Sequence, residues 1–138
     1  MRAFRLLLAA ALAAAVCGEA AAQSKTRKPK PPDPKIVSEV FACLKPGLPA
    51  DWKTAWVVMT ETKNRDGERE FDLKYFYAVA ADDNTGLPMD AACSDEEIGK
   101  RIYGFNQNLS SFEQRQWVVA KLFFGKDGKF ELKYDYTR

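Results

Sequence analysis

Hydrophobic and polar residues alternate most cleanly at the C-terminal end of the chain. Phe130, Leu132, Tyr134 and Tyr136 fall on one side of a strand, and Glu131, Lys133 and Asp135 on the other. Gly125-Lys126-Asp127-Gly128 joins this strand to an incoming one. The incoming strand is apolar on both sides: Val118, Ala120, Leu122 and Phe124 face one way, Trp117, Val119 and Phe123 the other. A second hairpin has the same build. Residues 54–62 and 69–80 read as strands around Asn64-Arg65-Asp66-Gly67, and Phe71, Leu73, Tyr75, Tyr77 and Val79 alternate along the second. Isolated two-stranded ribbons are marginal in water, so other elements must cover both hairpins.

Two stretches change period from two to 3.6. Asp33 and Pro34 open a helix as cap and first-turn proline, and Ile36, Val40, Cys43 and Leu44 share its inner face. It stops at Lys45-Pro46-Gly47. Ser94 to Glu97 reads as a capping box, ahead of a helix with Ile98, Ile102, Phe105, Leu109 and Phe112 in one stripe. The expectation is an α+β domain over 36–138, an antiparallel four-stranded sheet of two hairpins with two helices packed on one face. The opposite face is left with Trp56, Val58, Phe76, Trp117, Val119 and Phe123, an apolar group suited to a partner or a ligand groove. Its competing explanation is cover by loops, by Trp52 or by the N-terminal segment.

The start of the chain has a different character. Arg2 and Arg5, the apolar run from Leu6 to Val16, and Ala20-Ala21-Ala22 have the form of a secretory signal peptide over 1–22. Cys17 offers an alternative, lipidation after cleavage before it, but Val16 stands where the bacterial lipobox expects a small residue. Residues 23–35 form a basic, proline-rich linker, able to touch an anionic membrane or cell wall and otherwise a solvated spacer. Export to the periplasm gives the cysteines their meaning. Cys43 and Cys93 remain after signal removal, and in an oxidising compartment they are expected to form one disulfide rather than two free thiols.

Composition narrows the chemistry. The 138 residues are 46% hydrophobic and 12% aromatic, enough for one packed core. From Ile36 onward, 14 Lys and Arg face 17 Asp and Glu, and no basic groove interleaved with aromatics emerges, so nucleic-acid binding is not expected. The chain has no histidine, which removes the commonest general base and metal ligand. No phosphate-binding glycine loop and no metal-ligand spacing is present. The acidic pairs Asp82 with Asp83 and Glu68 with Glu70 could act only if a cleft gathered them. The expectation is a binding protein without cofactor, catalytic residues or metal.

A set of residues then points to a family. Leu48-Pro49-Ala50-Asp51-Trp52 leads into a strand, Glu70 to Tyr77 carries an aromatic run, and Leu109 and Phe112 lie on a helix. Trp117 opens the next strand, and Asp127-Gly128-Lys129-Phe130 runs into Tyr134-Asp135-Tyr136. This pattern, over most of 36–138, resembles the YezG-like bacterial immunity proteins. The resemblance implies a compact α+β domain that neutralises a cognate secreted toxin or effector by binding it. The family acts in the cytoplasm, so an exported member implies a target in the periplasm. Trp56, Phe76, Trp117, Val119 and Phe123 are the candidate contacts. The alternatives are an inhibitor of lysozyme-like enzymes and a periplasmic small-ligand or cell-wall binding domain using the aromatic face as its groove.

Overall fold

The computed structural model describes residues 30–136; the expected signal segment with Cys17, and linker residues 23–29, lie outside them. The domain is α+β, with an antiparallel sheet and helices. The first helix, α1, spans Pro34–Leu44, and the Asp33 carboxylate accepts from the Lys35 N–H at 2.9 Å. That satisfies one of the N–H groups every helix leaves open at its start. Val37, Val40, Cys43 and Leu44 are its buried residues, and a 3-10 turn over Lys45–Gly47 ends it.

Strands β1 (Thr54–Lys63) and β2 (Arg69–Ala78) form the first hairpin, β2 stopping two residues short of its expected end. Asn64 organises the turn, its side-chain oxygen accepting from the N–H of Asp66 and of Glu68. Gly67 supplies the left-handed residue, with φ +82°. Strands β4 (Trp117–Gly125) and β5 (Phe130–Tyr136) make the second hairpin, with Gly128 in the same role.

Among the described residues the sheet has five strands rather than the expected four; with a short strand β3 (Leu87–Met89) their order is β3-β2-β1-β4-β5. This extra strand pairs with Tyr75–Tyr77 of β2. A proline inside Leu-Pro-Met argues for a loop, since it cannot donate to a ladder. Here Pro88 sits opposite Phe76 at the sheet's edge, where a missing N–H is tolerated.

The long second helix is also corrected. Helix α2 spans Asp95–Gly104, a 3-10 turn covers Phe105–Asn108, and a third helix, α3, covers Ser111–Gln116. Gly104 is a poor helix former, and Ser110 starts a new helix with a complete capping box. The Ser110 hydroxyl accepts from the Glu113 N–H at 3.2 Å, and the Glu113 carboxylate accepts from the Ser110 N–H at 3.0 Å. Ser94 caps α2 through the Glu97 N–H, but the Glu97 carboxylate lies 3.2 Å from Arg101 instead of completing a box. Phe112, expected in the apolar stripe, is 64% exposed on α3.

Helices α1 and α2 pack on one face of the sheet. Val40, Leu44, Ile98, Ile102 and Phe105 meet Val57, Met59, Tyr75, Trp117, Leu122 and Phe124 in one core. Each fully buried aliphatic side chain there is worth about 1.5–3 kcal/mol in water removed from apolar surface. The Cys43–Cys93 disulfide joins the end of α1 to the residue before the Ser94 cap. Among the described residues, no helix is long and apolar enough to cross a membrane.

Candidate partner-binding face

On the helix-free face, strand pairing sets Phe76 and Phe123 directly opposite Trp56, one on each side. The Phe76 ring stacks on Trp56 at 5.8 Å between centroids, and Phe123 lies tilted at 5.9 Å. Val58 and Val119 extend the row one and two pairs further along the strands, and both are half-buried, as are Phe76 and Phe123. Charged residues border it: Lys74 is opposite Val58, Lys121 opposite Lys133, and Glu131 opposite Phe123. The Lys133 ammonium stands 5.4 Å from the Phe123 ring centre. An apolar centre inside a charged rim is the usual anatomy of a protein contact surface.

Trp56 itself is only 5% exposed. The segment after β2 folds back over it, so closely that a Cβ on Gly86 would lie 2.5 Å from the indole. Gly86 also has φ +71°, so glycine is required there on both counts. Asp83 closes this loop by accepting from the N–H groups of Thr85 and Gly86, which gives that acid a local structural job. Trp56 is therefore a platform that stiffens the face, and Phe76, Phe123, Val58 and Val119 are what a partner can reach.

Trp117 does not belong to this face. Strict alternation places it beside Val119, but the β4–β5 register shifts between the two residues and leaves Val118 as the extra one. The bulge turns Trp117 to the helix side, where it is 1% exposed and donates from its indole N–H to the Asn106 side chain at 2.9 Å. Of the five candidate contacts, Trp56, Phe76, Val119 and Phe123 come together and Trp117 is a core residue.

No protein-family model matches this chain, and no curated protein matches it. The site must be read from its own chemistry. Arg69 reaches from β2 to β1 and grips Glu61 with two hydrogen bonds of 2.6 and 2.7 Å, which raises the Arg69 pKa and keeps it charged. Its guanidinium also lies about 6 Å from the rings of Phe71 and Tyr103. These residues line a cleft of about 700 Å³ between α2 and β2, which sequence reasoning missed because its walls are far apart in the chain. The acidic pairs are not gathered into it: of the four residues, only Glu70 lines the cleft.

Two tyrosine hydroxyls are buried on the helix side of the sheet, and one of them ties a helix to it. The Tyr75 hydroxyl donates to Asp95 at 2.6 Å, and burial together with that bond raises its pKa. The Tyr134 hydroxyl is buried without a hydrogen-bond partner among the described residues, and desolvation pushes its pKa up to about 12. Both shifts favour the neutral phenol in the folded state. Their contribution is thus complete below the ordinary value of 10 and is lost as pH rises above it, through about 12 for Tyr134 and higher still for Tyr75. Urea midpoints measured across this range should fall with pH, and Tyr75→Phe should make the fall shallower. An unchanged profile in that variant would remove Tyr75 from the account.

Proposed function

We propose that this protein is an exported immunity protein that binds and neutralises a cognate antibacterial toxin or effector in the periplasm. The observation that carries the reading is the helix-free face, where Phe76, Val58, Val119 and Phe123 surround the covered Trp56 within a charged rim. A rigid aromatic platform at the centre of a face is where binding energy concentrates in protein complexes. The likeness of residues 36–138 to YezG-like immunity proteins and the signal-like segment 1–22 support the same reading. The absence of histidine from the chain suits inhibition by occlusion rather than by chemistry.

The test is capture of the tagged protein's partner from the producing cell, with the adjacent gene product as first candidate. A neighbouring secreted protein that co-purifies, and whose toxicity the protein suppresses, is the expected result. Phe123→Ala should weaken that capture by about tenfold, and because the half-buried ring also packs on Trp56, a thermal melt of the variant separates lost binding from lost folding. A sugar or lipid recovered without any protein would overturn the reading, as would hydrolysis of a cell-wall substrate.

A second reading has its own observation. The cleft between α2 and β2, walled by Phe71 and Tyr103 with Arg69, Lys100, Glu70 and Glu96 around it, suits a small polar or cell-wall ligand. An inhibitor of lysozyme-like enzymes would use the same aromatic face as the toxin-binding reading, and the captured partner's identity separates the two.

A further inference from the structure

Among the described residues, strand β5 is an outer strand of the sheet, seven residues long, and pairs on one side, with β4; Lys30, Pro31 and Pro32 border a pocket beside it without adding a strand. Open edges of this length invite pairing unless the sequence opposes it. The direction of its free groups follows from the hairpin. The Gly125 N–H donates to the Lys129 carbonyl at 2.8 Å, so Lys129, Glu131 and Lys133 turn their backbone groups toward β4. By alternation, Phe130, Leu132 and Tyr134 turn theirs outward to the open edge. Any strand added there must pair with those three.

The side chains then select the partner. Lys129, Glu131, Lys133 and Asp135 lie along the helix-free side with alternating sign. When a second β5 runs antiparallel about a twofold axis at Leu132, Leu132 meets its own copy and Phe130 meets the partner's Tyr134. On the charged side, Glu131 meets the partner's Lys133 and Lys129 meets the partner's Asp135. Every outward pair is then of opposite sign, and all three outward-facing residues exchange hydrogen bonds. A register centred on Lys133 also satisfies the backbone, with Leu132 against the partner's Tyr134, but it would oppose Lys133 to itself and Glu131 to the partner's Asp135. Centring on Tyr134 halves the number of opposite-charge pairs. Within one protomer Lys133 stands opposite Lys121, and loose ion pairs of 3.8 Å, Lys133 with Glu131 and Lys121 with Asp135, already offset the two charges; the partner's Glu131 would add a second acid directly opposite Lys133.

The other edge behaves differently. Pro88 opposite Phe76 has no N–H, so Tyr75 and Tyr77 are the residues bonded to β3, and Phe71 and Leu73 face outward beyond it. Self-pairing about Phe71 would set Glu70 against the partner's Asp72, and pairing about Leu73 would need Tyr75, which β3 already holds. That edge repels its own copy while the β5 edge accepts it.

We propose that the protein forms a twofold dimer through antiparallel β5–β5 pairing centred on Leu132, making one ten-stranded sheet whose helix-free face carries two aromatic rows. The dimer stands independently of what binds that face. Sedimentation equilibrium of the purified full domain should show a concentration-dependent doubling of mass. Lys133→Glu should weaken dimerisation roughly tenfold or more, because both symmetric ion pairs become repulsions. Glu131→Lys combined with Lys133→Glu should restore it, since each reversed charge again meets its opposite. Both positions are exposed, and Lys133→Glu places an acid opposite Lys121, so folding should be kept; thermal melts of each variant check this. Amide exchange should slow at Phe130, Leu132 and Tyr134 on dimerisation. A wild type that stays monomeric at every concentration overturns the proposal. So does a Lys133→Glu variant that dimerises normally, or a double variant that remains monomeric.

Discussion

Replacing Trp117 by alanine is expected to destabilise the fold by about 3–5 kcal/mol, the range for losing a large buried aromatic. The indole stacks on Phe71 at 6.0 Å, meets Tyr134 at 5.6 Å and sits among the core residues of α2 and the sheet. Its N–H is also the partner of Asn106, which is 3% exposed and the buried polar residue of the core. Removing the donor leaves that amide oxygen dry and unpaired, a further penalty of about 1–3 kcal/mol that even Trp117→Phe should incur. Small domains are stable by only about 5–15 kcal/mol, so the alanine variant sits near the threshold of folding. Urea denaturation of wild type, Trp117→Phe and Trp117→Ala should therefore give three ordered midpoints. Partner capture by the phenylalanine variant, where it is still folded, should match wild type. A Trp117→Ala protein of near-normal stability that had lost its partner would return this residue to the contact surface.

That residue shows where sequence pattern stops being informative. Period-two alternation placed the residues of β5 and most of β4 on their true faces, because each strand buries one side and a slip would expose it. A bulge leaves no trace in the alternation of an apolar strand, since Trp117, Val118 and Val119 are acceptable on either face. Turn chemistry was legible at Asn64–Gly67 and Gly125–Gly128, where side-chain and glycine requirements are local. The capping box at Ser110 and Glu113 was equally local, yet the apolar stripe running through it made one helix of two. Cover of the helix-free face by a loop is one of the two explanations the pattern leaves open, but which loop would reach Trp56 was not legible. That cover depends on a glycine 30 residues away that meets the indole only after β2 and its following loop have folded. The cleft beside Arg69 has the same origin, with walls drawn from β2 and α2.

The helix-free face and the β5 edge together suggest how the sheet divides its work. The helix side is committed to the core, so recognition falls to the opposite face and to the edges. Trp56 stiffens the face because two aromatic neighbours and the Gly86 loop fix its ring, which lowers the entropy a partner must remove on binding. A dimer through β5 would leave this row open, since Phe76 and Trp56 lie on the strands farther from that edge.

Loss of the Cys43–Cys93 bridge is the other change expected to have a large effect. The two residues are separated by 50 positions, and closing a loop of that length in the unfolded chain corresponds to about 4 kcal/mol on the chain-entropy estimate. The bridge adds to the shared core and to an ion pair of 3.1 Å between Arg101 of α2 and Glu39 of α1. It joins the buried end of α1 to the segment just before α2, alongside a single backbone bond from the Ala92 N–H to the Cys43 carbonyl at 2.7 Å. Next to it, Gly47 packs so tightly on the Asp90 carbonyl that an added Cβ would be 2.7 Å away. This close contact depends on the two segments being held together, and the cross-link restricts them even after unfolding. The double variant Cys43→Ala, Cys93→Ala should therefore lose about 2–5 kcal/mol in urea, with part of the loss coming from the packing of Cys43 itself. Reduction of the wild type isolates the cross-link, because both sulfur atoms stay in place. If reduction costs as much as the double variant, the bridge stabilises by restricting the unfolded chain. A reduced protein as stable as the oxidised one would show instead that α1 is held by its apolar face alone, through Val37, Val40 and Leu44.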